Sequence, residues 1–194
     1  MNQSTIHPAA RIGHVHLRVA DLERATAFYR DLLGFGVTAY GPDFGLQAAF
    51  LAAGDYHHHI GLNTWLSEGG APPPPGHTGL HHLAIVYPDR RELARAVGRL
   101  LDHGYPLDEA EDHGGTVSVY LRDPDGNGIE LYYDRPREAW FDAQGKPILK
   151  AEPFDPRDLP TELNHASSPA PCPRRAGAGE TGSSARKRLL PVSP

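Results

Sequence analysis

The chain has a single cysteine, Cys172, among its 194 residues. One cysteine cannot close an internal disulfide, and no secretory apolar region opens the sequence, so a reducing cytoplasm is the expected compartment. No apolar run approaches the roughly 18 residues that a membrane span needs. Excess charge of one sign is also missing. Lys+Arg 19 against Asp+Glu 24 gives a net charge of −5, with no sign of nucleic-acid or anionic-membrane binding. Large apolar residues almost disappear after about His165, where Ser, Pro, Gly, Ala and Arg dominate. Such a segment cannot offset its ordering entropy, and disorder is expected over 165–194. Histidine, in contrast, is plentiful. There are 12, three of them consecutive at His57, His58 and His59, and a surplus of imidazole points to metal or proton chemistry.

Two parts of the chain look alike. An offset of 68 residues relates His14 to His82 and Asp21 to Asp89. Each Asp follows a strand-like run and opens an amphipathic helix. Leu22, Ala25, Phe28, Tyr29, Leu32 and Leu33 form the first apolar stripe; Leu93, Ala96, Val97, Leu100 and Leu101 form the second. Three strand-like runs follow each helix, near 36–41, 46–54 and 57–64, and near 107–111, 115–122 and 127–134. Asp123-Pro-Asp-Gly-Asn-Gly128 separates the last two as a tight hairpin turn. Ala71-Pro-Pro-Pro-Pro-Gly76 is a stiff connector. The expectation is an α+β chain of two βαβββ modules spanning 10–66 and 79–136, within one domain over 10–136. Residues 137–164 keep Trp140, Phe141, Ile148, Leu149 and Phe154 and are expected to wrap that domain.

Strand alternation sorts the polar side chains. His14 and His16 oppose Val15 and Leu17; His82 opposes Leu83; Glu130 and Tyr132 oppose Ile129 and Leu131; Ser118 and Tyr120 oppose Val117 and Val119; His59, Gly61 and Asn63 oppose Ile60 and Leu62. One face packs on a helix, while the other carries polar groups that are costly to bury dry, and so lines a wet cavity or a metal site. His14, His82 and Glu130 supply two imidazoles and one carboxylate, the donor set of non-haem Fe(II) facial triads. The same donors also suit Mn(II) or another divalent metal. A lone strand histidine is more often structural, but equivalence within a repeat reverses that balance for His14 and His82.

The paired βαβββ pattern resembles the vicinal oxygen chelate superfamily of glyoxalases, bleomycin- and fosfomycin-resistance proteins and extradiol dioxygenases. That resemblance implies two modules closing into a cup-shaped mixed sheet with helices outside, and metal ligands at His14, His82 and Glu130. Members of the glyoxalase I type carry a Glu where this chain has Gly61, so three ligands remain, as in extradiol dioxygenases. His59 resembles their acid/base histidine and Tyr120 the tyrosine that hydrogen-bonds the catecholate. His57 and His113 would be substrate contacts. The segments Val117–Glu130 and HHHIGLNTW are most similar to the catechol 2,3-dioxygenase-related, CatE-like branch.

The resemblance therefore implies an Fe(II)-dependent ring-cleaving enzyme that takes an aromatic vicinal diol and O2. Two alternatives stand beside it: a metal-dependent isomerase or thiol transferase on the same site, and a drug-sequestering protein without catalysis. Fold alone does not decide among them. Homodimerisation through an open sheet edge, or through 135–164, is left open by the sequence.

Overall fold

The computed structural model describes residues 5–165. The expected disordered tail therefore falls almost wholly outside the described residues. Strand β1 (Val15–Arg18) leads through Asp21, whose carboxylate accepts the Arg24 amide at 2.9 Å, into helix α1 (Leu22–Ala27). The helix runs on through a wider turn, Phe28–Leu32. Strands β2 (Gly36–Tyr40), β3 (Ala48–Ala52) and β4 (Ile60–Asn63) complete the first module. The second repeats the plan: β5 (His82–Tyr87), α2 (Arg90–Asp102), β6 (Glu109–Gly114), β7 (Thr116–Arg122) and β8 (Gly128–Asp134). Asp89 caps α2 through the Glu92 amide at 2.9 Å, as Asp21 caps α1. A side-chain oxygen there satisfies an otherwise orphaned N–H of the first turn.

Each module makes its own sheet, and in each the first strand pairs in parallel with the last. The orders are β1-β4-β3-β2 and β5-β8-β7-β6-β9, so β1 and β5 are both edge strands. Strand β9 (Leu149–Pro153) and helix α3 (Asp158–His165) come from the wrapping segment. The sequence reading gave them no regular structure. β9 adds antiparallel to β6, and Leu159 of α3 is fully buried.

The core lies between the helices and the inner faces of the sheets. Leu93, Val97 and Leu100 of α2 and Val119, Ile129 and Leu131 of the second sheet are wholly buried, each such side chain contributing about 1.5–3 kcal/mol. A polar lock joins the modules at the turn between β7 and β8. Asp123 accepts from the Tyr29 hydroxyl at 3.1 Å, and Asp125 accepts from the Ala20 amide at 2.9 Å and pairs with Arg24 at 2.7 Å. Burial, with the Asp123 carboxylate beside it, holds the Tyr29 phenol well above its usual range.

Candidate metal centre

The hairpin between β7 and β8 puts Tyr120 directly opposite Glu130. The short Asp123–Asn127 turn fixes that register, and period-2 alternation sends Ser118, Tyr120 and Glu130 to one face. Glu130 is braced there. The Ser118 hydroxyl donates to Oε1 at 2.6 Å, and the Tyr120 hydroxyl lies 3.1 Å from the same oxygen. The other oxygen, Oε2, is 3.2 Å from Nε2 of His82. His82 reaches it because β5 lies alongside β8, with His82 paired to Gly128. A side chain at Gly128 would meet the His81 carbonyl at 2.2 Å, so only glycine admits the first turn of β5 this closely.

An imidazole nitrogen and a carboxylate oxygen at that spacing fit two neighbouring ligands of one divalent ion, with bonds of about 2.1 Å. Ser118 and Tyr120 fix the carboxylate, and Nδ1 of His81 lies 2.9 Å from Nδ1 of His82. Such outer partners orient ligands and set which ring nitrogen faces the metal. Burial, then the Glu130 charge, pushes the Tyr120 phenol up to about 12, so it stays protonated at neutral pH. A cavity of about 800 Å³ opens beside His82 and Tyr120, walled by Pro72–Pro75.

His14 is elsewhere. It sits one residue before β1, exposed, with its ring 4.5 Å from that of His58. Among the described residues no group of three His, Cys, Asp or Glu side chains is placed to hold one metal ion. One chain thus brings His82, Glu130 and Tyr120 together and leaves His14 in the other sheet.

The three consecutive histidines also differ from the strand reading. They precede β4, which begins at Ile60 opposite Leu51, although the His59 amide already donates to the Leu51 carbonyl at 2.8 Å. His58, not His59, lies against His14 and also against Phe50, at 5.0 Å between ring centres. Burial first, then neighbouring imidazoles led by His14, holds His58 below the ordinary imidazole value. His59 turns to Tyr56 at 4.6 Å, and its Nδ1 accepts the Ala53 amide at 3.2 Å. His57 is exposed, with Nδ1 2.7 Å from that of His58. His113 is not free to hold a substrate through its ring nitrogens: Nδ1 lies 2.9 Å from the Lys150 carbonyl and Nε2 2.9 Å from the Tyr120 hydroxyl. At Gly61, an added side chain would meet the His16 ring at 2.9 Å, so His16 covers the place where a fourth ligand would stand.

Sequence reading missed Ser118 as the second donor to Glu130. Its signal was present, since it shares a strand face with Tyr120. His81 carried no signal, because alternation sends it away from His82.

Residues 11–131 match the family model of the Glyoxalase/Bleomycin resistance protein/Dioxygenase superfamily. The chain belongs to this superfamily. Among its relatives are a catechol-2,3-dioxygenase of Bacillus subtilis, 42% identical over 113 residues, and a biphenyl-2,3-diol 1,2-dioxygenase of Rhodococcus globerulus, 34% identical over 126 residues. These matches cover 58% and 64% of this chain, and 37% and 63% of those proteins, so the chain spans less than two thirds of either. The crystal structure of a lactoylglutathione lyase from Agrobacterium tumefaciens superimposes with a TM-score of 0.51 at 26% identity, covering 66% of this chain and 96% of that one. Two mixed sheets with few helices are the superfamily's α+β fold, as the βαβββ repeat led one to expect. The relatives are named as dioxygenases, lactoylglutathione lyases and an ethylmalonyl-CoA/methylmalonyl-CoA epimerase, which supports an enzyme. Among the described residues no helix is long and apolar enough to cross a membrane.

Proposed function

We propose that this chain is a non-haem Fe(II)-dependent extradiol-type dioxygenase acting on a catechol-like vicinal diol, with its metal held by His82 and Glu130 of one copy and His14 of a second. One observation carries the reading. Glu130 is braced on Oε1 by Ser118 and Tyr120 while Oε2 faces His82, and glycine, not a carboxylate, occupies position 61. A three-ligand set leaves open positions, whereas the isomerase alternative is weakened by Gly61.

The second copy follows from the separation of His14. Both half-sites flank edge strands, β1 and β5, whose outer backbone groups have no partner strand in their own sheets. Exposed apolar side chains accompany both edges: Ile12, Trp65 and Leu66 on one side, Leu80 and Val86 on the other. Such patches mark association surfaces. A two-fold pair that sets β1 of one copy beside β5 of the other would form two equal sites.

An Fe(II) ion so held would supply positions for the two diol oxygens and O2, together with the redox chemistry that O2 needs. The chain's own residues do the rest. Glu130 and His82 stay oriented by Ser118, Tyr120 and His81. Tyr120 hydrogen-bonds a diol oxygen from a fixed place. The acid/base role implied for His59 passes to His58, whose ring is the one against His14. Apolar Pro72–Pro75 receive the aromatic ring in the adjoining cavity.

The test is anaerobic loading with Fe(II), followed by oxygen uptake with a panel of substituted catechols. Equimolar O2 consumption with a yellow ring-opened product is expected. No uptake by fully loaded protein across the panel would sink this reading and favour the isomerase or thiol transferase.

A further inference from the structure

The cavity beside His82 and Tyr120 also reaches Asp108 and Glu109. Strand register carries it there. Glu130 of β8 pairs with Tyr120 of β7, and Tyr120 pairs with Glu109 of β6. Directly paired residues project to one face, so Glu130, Tyr120 and Glu109 form one row across three strands. With neighbouring strands about 4.8 Å apart, the backbone at Glu109 lies roughly 10 Å from that at Glu130. Pro72–Pro75 line the same cavity and bring no charge to it.

Apart from imidazoles, the charged side chains lining this cavity are Asp108, Glu109 and Arg122. Arg122 is engaged already. Its Nε lies 3.1 Å from Oδ2 of Asp108, and its Nη1 donates to the Gly126 carbonyl at 3.3 Å. The charges of that pair cancel. Glu109 is exposed, and among the described residues no hydrogen bond or ion pair engages its carboxylate. The next acid on the same strand face, Glu111, has His113 at 3.5 Å, and Glu130 has Ser118, Tyr120 and His82. Glu109 is therefore the uncompensated charge of the cavity, at a strand position where glutamate has little to gain from packing.

We propose that Glu109 sets substrate specificity: it receives a cationic substituent of the diol, an ammonium group on a short arm of the aromatic ring, and it disfavours diols that carry a carboxylate there. This rests on the proposed function, in which the diol oxygens sit at His82 and Glu130 and the ring lies in the cavity. From that seat a two-carbon arm extends along the row toward Glu109. An ammonium at its end meets an opposite charge. A carboxylate meets a like charge, while the guanidinium of the cavity is held by Asp108.

Three probes share one catechol ring and differ at the end of a two-carbon arm: 4-ethylcatechol is neutral, dopamine carries an ammonium and dihydrocaffeate a carboxylate. Their binding to the anaerobic, Fe(II)-loaded full chain is measured by calorimetry, and their kcat/KM by oxygen uptake. Dopamine is expected to bind about fivefold more tightly than 4-ethylcatechol, the upper end for an exposed ion pair, and dihydrocaffeate more weakly than either. In Glu109→Gln the ratio of dopamine to 4-ethylcatechol affinity should fall to near one. In Glu109→Lys the order of dopamine and dihydrocaffeate should reverse, which general damage to the fold would not produce. The parent's preference should also fade toward about 1 M salt, where the screening length shrinks to about 3 Å. Equal affinities in the parent, tighter binding of dihydrocaffeate, or a dopamine preference that survives both substitutions overturns the role of Glu109. If the three probes bind in the expected order and none is consumed, the dioxygenase reading fails while the role of Glu109 stands. If none binds, both fall.

Discussion

Glu130→Ala is expected to remove bound metal and turnover together while the fold survives. Both oxygens of this proposed carboxylate ligand are engaged, Oε1 by Ser118 and Tyr120 and Oε2 toward His82. Its loss would take away the charge that offsets a metal's own and leave His82 without its carboxylate partner. Turnover should fall by more than the roughly 10–100-fold typical of losing an outer partner. The fold has less at stake. Glu130 is half-buried on an open sheet face, and its removal strands mainly the Ser118 hydroxyl, at about 1–3 kcal/mol. Metal analysis after gel filtration, beside a urea titration, measures both. Full metal occupancy in the variant would remove Glu130 from the ligand set.

The second large effect lies away from the metal. Asp123→Ala should lower unfolding free energy by about 3 kcal/mol or more. The side chain is 4% exposed and accepts four bonds: from the Tyr29 hydroxyl at 3.1 Å, the Asp125 and Asn127 amides at 2.9 and 2.8 Å, and the Asn127 side chain at 2.8 Å. Alanine leaves these donors unpaired, and Tyr29 is wholly buried. The turn also carries Asp125, which holds the Ala20 amide and Arg24 of the other module. Relaxing it loosens both the register of β8 and the contact between modules. Asp123→Asn, which keeps one acceptor oxygen, should lose less. A urea midpoint for Asp123→Ala within 1 kcal/mol of the parent, by the usual linear extrapolation, would contradict this account of the turn.

Much of this architecture was legible in the sequence, because its signals are local. The paired Asp caps, the apolar stripes and the Asp123–Asn127 turn act within a few residues. The turn and the alternation together place Tyr120 opposite Glu130. Gly61 was equally legible, since a missing side chain can be read without a structure. The histidines at 57–59 were not. They lie in a bend before β4, where no period-2 rule applies, and packing against Phe50 and Tyr56 decides which ring meets His14. β9 was hidden because its edge pairing with β6 depends on main-chain bonds and on Asp112 and Arg135, far apart in sequence. The separation of His14 from Glu130 was invisible for a deeper reason. Equivalence in a repeat says that two positions match, not that they meet in one chain.

That separation gives the most direct measurement. His14→Ala and Glu130→Ala chains are purified separately, each inactive, then mixed under conditions that exchange subunits, loaded with Fe(II) and assayed for oxygen uptake with a catechol. If each site takes His14 from one copy and His82 and Glu130 from the other, a mixed pair contains one intact site. Random two-fold pairing then restores about a quarter of the parent activity. If the triad closes within a single chain, every site in the mixture carries a defect, and no activity returns.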